Sequence, residues 1–216
     1  MKLAVFDCDG TLIDGQASIC AAMDQAFAAV RLPLPDRHAV RRIVGLSLPQ
    51  AMRQLAPEAA DDTHGLMVDA YKDAFRTARA AGELQQALFD GMADLLDALR
   101  DGGWTLGVAT GMSQRGLTHV LASHGLSGHF ATLQTADFHP SKPHPAMLEA
   151  ALDEAMAQPG EAVMIGDTAY DMAMARDAGV RAIGVDWGYH DAGELRAAGA
   201  EWVAPTPRAL QEYLLA

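Results

Sequence analysis

Cysteine and positive charge are both scarce in this sequence. Cys8 and Cys20 are the only thiols in 216 residues, too few for a disulfide framework and wrongly spaced for a zinc-ligand set, so both are expected to be reduced. Sixteen Lys and Arg stand against 28 Asp and Glu, a formal net charge of −12. That balance disfavours nonspecific binding to nucleic acid or to an anionic membrane. A phosphate ligand would therefore need a local positive site. No run approaches the ~18 consecutive apolar residues of a membrane span. The amino terminus lacks the charged region, apolar stretch and small-residue cleavage site of an export signal, so the expected location is the cytoplasm. No internal repeat or low-complexity segment is evident, although Ala is abundant.

What is present is a chain able to fold. Hydrophobic residues make up 50% and charged residues 20%, far from the composition of disorder, and the length suits one large domain or a core with a modest insertion. The first fourteen residues are the most informative. Leu3 to Phe6 form a short apolar run that reads as a buried strand. It ends in Asp7-Cys8-Asp9-Gly10-Thr11, two carboxylates one residue apart and a glycine permitting a tight bend. Ligands of open α/β sheets gather at the carboxyl ends of strands. Two carboxylates converging there allow one to attack while the other handles a proton.

After Asp14 helical periodicity takes over to about residue 81. Residues 18–31 place Ile19, Met23, Ala26, Phe27 and Val30 on one face, with Pro33 and Pro35 as the stop. Asp36 is positioned to cap a helix through Ile43, Pro49 suits the first turn of another through Leu55, and a last helix is expected from Asp61 to Ala80. From Leu88 onward apolar runs alternate with helical stretches: 104–109, 131–133, 162–165, 182–185 and 202–203 against helices near 92–101, 113–124, 144–157, 169–178 and 191–198. This alternation predicts an α/β fold with a doubly wound parallel sheet. Residues 1–14 and 82–216 then form a discontinuous core, and residues 15–81 an inserted α-helical cap well placed to act as a lid.

Residues 163–171, Val-Met-Ile-Gly-Asp-Thr-Ala-Tyr-Asp, are a second strand end that delivers carboxylates. If the two strand ends meet, Asp7, the Asp9 main-chain carbonyl and Asp167 supply hard oxygen ligands for Mg²⁺, with Asp171 as a further ligand or just outside the ligand set. Thr168 and Asp171 also have the spacing of a capping box, so helix capping is the competing role for Asp171. Acids alone would repel phosphate. The run 104–109 ends in Thr110-Gly111, a hydroxyl and backbone N–H groups near a helix start, although ordinary capping explains a Thr-Gly pair as readily. Lys142 lies in Pro140-Ser141-Lys142-Pro143-His144-Pro145, where the prolines restrict the backbone and would hold the ammonium in place.

These four segments resemble the motifs of the haloacid dehalogenase superfamily, in particular phosphatases whose helical cap is inserted just after the first motif. Asp7-Cys8-Asp9-Gly10-Thr11 matches the first motif, Thr110 the second, Lys142 the third and Gly166-Asp167-Thr168-Ala169-Tyr170-Asp171 the fourth. Residues 184–190 are similar to bacterial phosphoglycolate-phosphatase-like members. The resemblance implies that Asp7 attacks phosphorus to form an aspartyl-phosphate, that Asp9 protonates the leaving oxygen and later activates water, and that Mg²⁺, Lys142 and Thr110 stabilise the phosphoryl charge. The implied reaction is Mg²⁺-dependent hydrolysis of a small phosphorylated metabolite, with 2-phosphoglycolate the leading substrate. A sugar phosphate or nucleotide is the first alternative; a metal-independent dehalogenase or a non-enzymatic phosphometabolite-binding regulator lies further off. Oligomeric state is not encoded in these motifs.

The remaining candidates are weaker. Cys8 lies between the carboxylates, but alternation along the backbone turns it away from them. His139 and His144 flank Lys142 without a metal spacing, and His144 suits a helix start. Arg41, Arg42 and Arg53 fall in the insertion, where a solvated helix face is their default. Gly15 stands where relatives often carry Ser or Thr, and Met112 where some carry a basic residue. Gly15 and Gly82 bracket the insertion as candidate hinges, and Gly45-Leu46-Ser47 is the candidate loop that dips toward the leaving group, with Leu46 the candidate substrate contact.

Overall fold

Alternation within β1 (Lys2–Phe6) decides which layer each side chain joins. Its side chains point alternately to opposite faces, so Ala4 and Phe6 enter one hydrophobic cluster and Leu3 and Val5 another. The computed structural model, which describes residues 2–216, continues through β2 (Ile13–Asp14), α1 (Gln16–Ala29), α2 (Arg37–Ile43), α3 (Leu48–Leu55), α4 (Asp61–Ala81) and β3 (Ala87–Leu88). There follow α5 (Met92–Asp101), β4 (Trp104–Thr110), α6 (Gln114–Ser123), β5 (Thr132–Thr135), α7 (Ala146–Ala155) and β6 (Ala162–Gly166). The chain ends with α8 (Ala169–Asp177), β7 (Arg181–Val185), α9 (Ala192–Ala198), β8 (Trp202–Ala204) and α10 (Pro207–Leu215).

Six strands pair in parallel in the order β5-β4-β1-β6-β7-β8. Helices α5, α6 and α10 supply apolar residues to the cluster containing Phe6, while α7, α8 and α9 supply those packed with Leu3 and Val5. The sheet is thus covered on both faces, as buried parallel sheets are. From β1 the chain winds outward through β4 and β5 on one side and through β6, β7 and β8 on the other. The strand order reverses beside β1, and the crevice for a ligand lies at such a switch point.

Helices α1 to α4 form an insertion with its own core of Ile19, Met23, Phe27, Val40, Ile43, Met52 and Met67, with α1 packed along α4. Where the chain leaves and re-enters the core, β2 and β3 pair antiparallel, Ile13 with Leu88 and Asp14 with Ala87. That two-stranded link fixes both connections side by side.

The elements follow the sequence with a few differences. Helix α1 ends at Ala29, before the prolines, because Arg31 takes a left-handed conformation with φ 58°. Helix α2 starts as its capping residue dictates: the Asp36 carboxylate accepts from His38 N and Ala39 N. Helix α10, whose Leu210 and Leu214 complete one core layer, was not foreseen, nor was the β2–β3 pair, since two-residue strands carry no periodicity. Among the described residues no helix is long and apolar enough to cross a membrane.

Candidate active site

The carboxyl ends of β1 and β6 lie side by side, with Phe6 in register with Ile165, so the carboxylates that follow them meet. Carboxylate oxygens of Asp7, Asp167 and Asp171 all lie within 4.8 Å of one another, and all three residues are buried. Lys142 reaches in from the loop before α7. Its ammonium lies 2.8 Å from Asp7 Oδ1 and donates to Asp171 Oδ1 at 2.6 Å. Only 1% of Lys142 is exposed, so its charge is held by these two acids alone. Burial by itself would lower its pKa, but Asp171 and Asp7 overcome that and hold it above the ordinary lysine value. The ammonium is fixed, charged and dry.

Each acid has a different set of neighbours. Asp167 is anchored through both oxygens: Oδ1 accepts from the Thr11 hydroxyl at 2.8 Å and Oδ2 from Tyr189 N at 2.9 Å. Asp171 Oδ2 accepts from Thr168 Oγ1 at 2.7 Å and from Thr168 N at 3.1 Å, which completes the capping box at the start of α8. Capping and holding Lys142 are therefore roles of the same carboxylate. Asp7 Oδ2 and Asp9 Oδ1, by contrast, are buried without a hydrogen-bond partner. Buried carboxylate oxygens without donors are costly, and these two border the cleft.

The cost appears in their proton affinities. Burial pushes the Asp7 carboxyl up to about 6, with Lys142 pulling it back down and Asp171 adding to the rise. Burial pushes Asp9 up to about 7, helped by the charges of Asp7 and Asp14. Lys142 acts strongly on Asp7, second only to burial, and only weakly on Asp9, so the two carboxyls sit in different electrostatic settings.

Glycines close the site. Gly10 has φ +88°, and a Cβ there would lie 2.2 Å from Asp167 Oδ2. Gly15 has an ordinary φ of −98°, so it is not used for backbone freedom. A Cβ at Gly15 would fall 2.2 Å from Asp9 Oδ1, and glycine is there to make room for that carboxylate. Gly82, at the other end of the insertion, takes φ +71° as the left-handed cap of α4.

A cavity of about 780 Å³ between core and insertion is lined by Asp7, Asp9, Thr110, Gly111 and Leu46, together with Ile19, Met23, Tyr71, Phe75, Arg79, Met112 and Arg115. Lys142, Asp167 and Asp171 lie beneath its floor. The Thr110 hydroxyl accepts from Met112 N at 3.3 Å. Leu46 is buried in the insertion's core, and its backbone reaches the catalytic core: a Cβ at Gly111 would lie 2.4 Å from the Leu46 carbonyl oxygen. Ser47 N donates to Ser141 Oγ, beside Lys142, at 2.8 Å. The loop at residues 45–47 thus does dip onto the core, through its main chain.

Several side chains settle into plain packing. Cys8 is fully buried among apolar residues, and burial with the charges of Asp9 and Asp7 raises its thiol pKa well above normal, so it is not a nucleophile. His144 Nδ1 accepts from Ala146 N at the start of α7, and His139 bonds Gln134. Arg42 pairs with Glu194 of α9 and Arg53 with Asp61; neither borders the cleft. The arginines that do are Arg76, Arg79 and Arg115. Sequence reading passed over these and also Thr11, Tyr71 and Tyr189. The four-residue spacing of Tyr71, Phe75 and Arg79 on one face of α4 was the available signal.

The family profile of haloacid dehalogenase-like hydrolases matches residues 4–185. The chain is 35% identical over 207 residues to the Probable phosphatase IndB of Dickeya dadantii, covering 94% of this chain and 89% of that protein. It is 29% identical to a Phosphoglycolate phosphatase of Vibrio vulnificus, over 100% of this chain and 96% of that one. A crystal structure of a hydrolase from Pseudomonas syringae superposes with a TM-score of 0.88 at 27% identity, covering 99% of this chain and 98% of that one. The chain belongs to the haloacid dehalogenase-like hydrolase family.

Proposed function

We propose that this hydrolase is a Mg²⁺-dependent phosphomonoesterase acting on a small phosphorylated metabolite through an aspartyl-phosphate. The observation that carries this reading is the buried arrangement at the strand ends: Asp7 and Asp171 on one ammonium, with Asp167 beside them. Asp7, ionised and facing the cleft with a donor-free oxygen, is the nucleophile toward phosphorus. Asp9 delivers its proton to the leaving oxygen and later takes one from the attacking water. Lys142 and the Thr110–Gly111 main chain hold the phosphoryl oxygens, with charge and N–H groups aimed where negative charge must be carried. Lys142 also offsets part of the penalty that burial places on the Asp7 charge, and Asp171 keeps Lys142 in place.

The donor set fits a hard divalent cation. Asp7, the Asp9 main-chain carbonyl and Asp167 would hold it, and unpartnered carboxylate oxygens beside a buried acid trio are the kind of ligand Mg²⁺ takes. When bound, Mg²⁺ would neutralise part of the acid cluster's charge and orient a phosphate oxygen. Asp171, whose one oxygen is held by the Lys142 ammonium and whose other accepts two hydrogen bonds from Thr168, we place beside the ligand set, whereas each Asp167 oxygen accepts a single bond and keeps a lone pair for the metal.

The helical insertion, residues 15–81 between the core segments 1–14 and 82–216, is the cap of this reading. Its α4 and its 45–47 loop form the wall facing the leaving group. Phosphoglycolate, the substrate named for the Vibrio relative, is the first candidate. A sugar phosphate or another larger ester is the second, because about 780 Å³ exceeds what a two-carbon ester fills. Both cysteines are free and buried, in keeping with a cytoplasmic location. A phosphate-release screen over phosphoglycolate, sugar phosphates, nucleotides and haloacids, with and without EDTA, tests the reading. Metal-dependent release from phosphate esters is expected. Dehalogenation insensitive to EDTA, or no release from any ester, would overturn it.

A further inference from the structure

The negative charge of this protein is not carried evenly into the cleft. Helix α4 presents Tyr71, Phe75 and Arg79 to the cavity at four-residue intervals, a spacing that stacks them along one face. Tyr71 marks the catalytic end of this face, since burial and the Asp9 charge push its phenol pKa up. Arg79 marks the outer end, about 12 Å further along the helix axis at 1.5 Å per residue. Its side chain leans back toward the helix N-terminus, over the cavity.

Across the cleft stands Arg115 on α6 of the core, also on the cavity wall. Among the described residues neither arginine has an ion pair or side-chain hydrogen bond, and Arg79 Nε is buried without a partner. The nearby carboxylates are engaged elsewhere or distant: Asp73 pairs with Arg76, Asp24 with Arg37, Asp137 accepts from Gln114 N and Asp14 from Gln16 N, while Asp69 sits ten residues, nearly three turns, away from Arg79 along α4. What Arg79 does feel is burial and the charge of Arg115, both of which lower its pKa. His119, one turn beyond Arg115 on α6, is lowered by burial and by Arg79. Its side chain borders the open hollow that adjoins the cleft and shares Arg79 with it.

Two like charges facing each other across a seam, one with an unpaired buried donor, are unfavourable as they stand. Carboxylates line the surroundings, Asp137 in the same cavity and Asp14 and Asp24 in the adjoining hollow, but none pairs with either arginine among the described residues. An anion between them would satisfy the Nε–H donor, offset the repulsion and tie the cap to the core. We propose that Arg79 and Arg115 form a second anion-binding subsite of the catalytic cleft, so that the preferred substrate is a phosphate ester bearing a carboxylate or second phosphate at the end remote from the scissile group. This rests on the phosphomonoesterase reading above and narrows its substrate class. The separation along α4 moves the preference from phosphoglycolate, the first candidate above, to the larger esters that were second, because the far anion belongs to an ester longer than a two-carbon one. Phe75, midway along the stripe, would lie against the intervening carbons.

The test compares three matched series of alkyl phosphates, two to six carbons long, ending in a carboxylate, a second phosphate or a hydroxyl. For the wild-type enzyme with Mg²⁺, kcat/KM for either anionic series should exceed that for the hydroxyl series, with the greatest ratio beyond two carbons. Whichever anionic series gives the larger ratio identifies the end group. Arg79→Gln and Arg115→Gln should each reduce the ratio about tenfold or more, as expected for loss of a hydrogen bond between charged groups, through KM more than kcat. Arg79→Lys should recover part of it. Arg115 is exposed, so its variant carries the test even if Arg79→Gln fails to fold. Equal ratios in wild type and in folded Arg115→Gln would overturn the subsite. Should no ester be hydrolysed, the phosphatase reading fails by itself, and calorimetry with butane-1,4-diol bisphosphate against butyl phosphate still decides the subsite. Tighter binding of the bisphosphate that Arg115→Gln abolishes supports it; equal binding refutes it.

Discussion

The floor of the cleft and its wall are built in opposite ways. On the floor most polar side chains are tied to partners, Lys142 to Asp7 and Asp171, Asp171 to Thr168, and Asp167 to the Thr11 hydroxyl and Tyr189 N, while Asp7 Oδ2 and Asp9 Oδ1 are left open to the cleft. Changing any of these leaves a buried charge or donor unpaired, which costs far more than an ordinary hydrogen bond contributes. The wall is held differently. The 45–47 loop meets the core through main-chain atoms, the Leu46 carbonyl against Gly111 and Ser47 N on Ser141 Oγ. The basic side chains of α4 and α6 project into the cleft. The loop's contact with the core thus does not depend on which side chains it carries, although Leu46 is also packed in the cap's own core. Under the proposed function this is a division of labour: chemistry falls to mutually dependent buried side chains, and selectivity to a wall whose contact with the core is made by main-chain atoms.

Substitutions should separate the two regions in order of effect. On the floor, Asp7→Asn should reduce kcat by about three orders of magnitude or more while circular dichroism stays that of wild type, because the nucleophile is lost and its volume kept. Turnover near the wild-type rate would remove Asp7 from the nucleophile's role. Lys142→Ala should cost about 3–5 kcal/mol in urea unfolding, the usual penalty for breaking one side of a buried ion pair, and activity with it. A loss below 1 kcal/mol would show that the floor is not interlocked as described.

Metal removal tests the same acids without mutation. EDTA should abolish turnover and Mg²⁺ restore it, with Asp167→Ala weakening the restoration. The metal-free protein should also report the raised carboxyl pKa values. Asp7 at about 6 and Asp9 at about 7 keep protons in the folded state that the unfolded chain releases near 4. Asp167 is raised too, by burial and by the charges of Asp7 and Asp171, so the folded state binds more protons from about pH 4 upward and stability falls as pH rises from about 4 through about 7. Melting temperatures measured in EDTA should show that fall, and Mg²⁺ should reverse it. A metal-free protein that gains stability over this range would contradict the acid cluster's electrostatics.

At the boundary between floor and wall, Gly15→Ala should lower kcat about tenfold with little change in metal affinity, since a Cβ there displaces the Asp9 carboxylate and misplacing a proton donor costs on this scale. Unchanged kcat would mean that Asp9 shifts without penalty. The smallest effect belongs to the wall. Polar or bulky replacements at Leu46 should alter kcat/KM ratios among phosphate esters by a few-fold while metal dependence stays constant. Because Leu46 is buried in the cap's core, melting curves must accompany the ratios; constant ratios across several folded variants would place selectivity elsewhere.

Much of the fold and the floor of the site was legible because both are written in local patterns. The run Leu3–Phe6 ending in Asp7-Cys8-Asp9, the capping spacing of Thr168 and Asp171, and the alternation after Leu88 each follow from near-neighbour chemistry. Helix positions such as Met92–Asp101 were readable from periodicity. Gly15 shows where this stops: the sequence suggested a hinge, whereas the structure uses the glycine to admit Asp9. Likewise, nothing local distinguishes Arg115 from Arg42 and Arg53, which pair away from the cleft, and only the spacing from Tyr71 and Phe75 marks Arg79. Sequence by itself determined which residue types stand at the strand ends, because strand, turn and cap are set by neighbours within a few positions. Only the tertiary structure decided that Lys142 would be dry between two acids, that a cap loop would rest its backbone on Gly111, and that two unpaired arginines would face each other. Those depend on burial and on contacts between distant segments, where desolvation makes each pairing consequential.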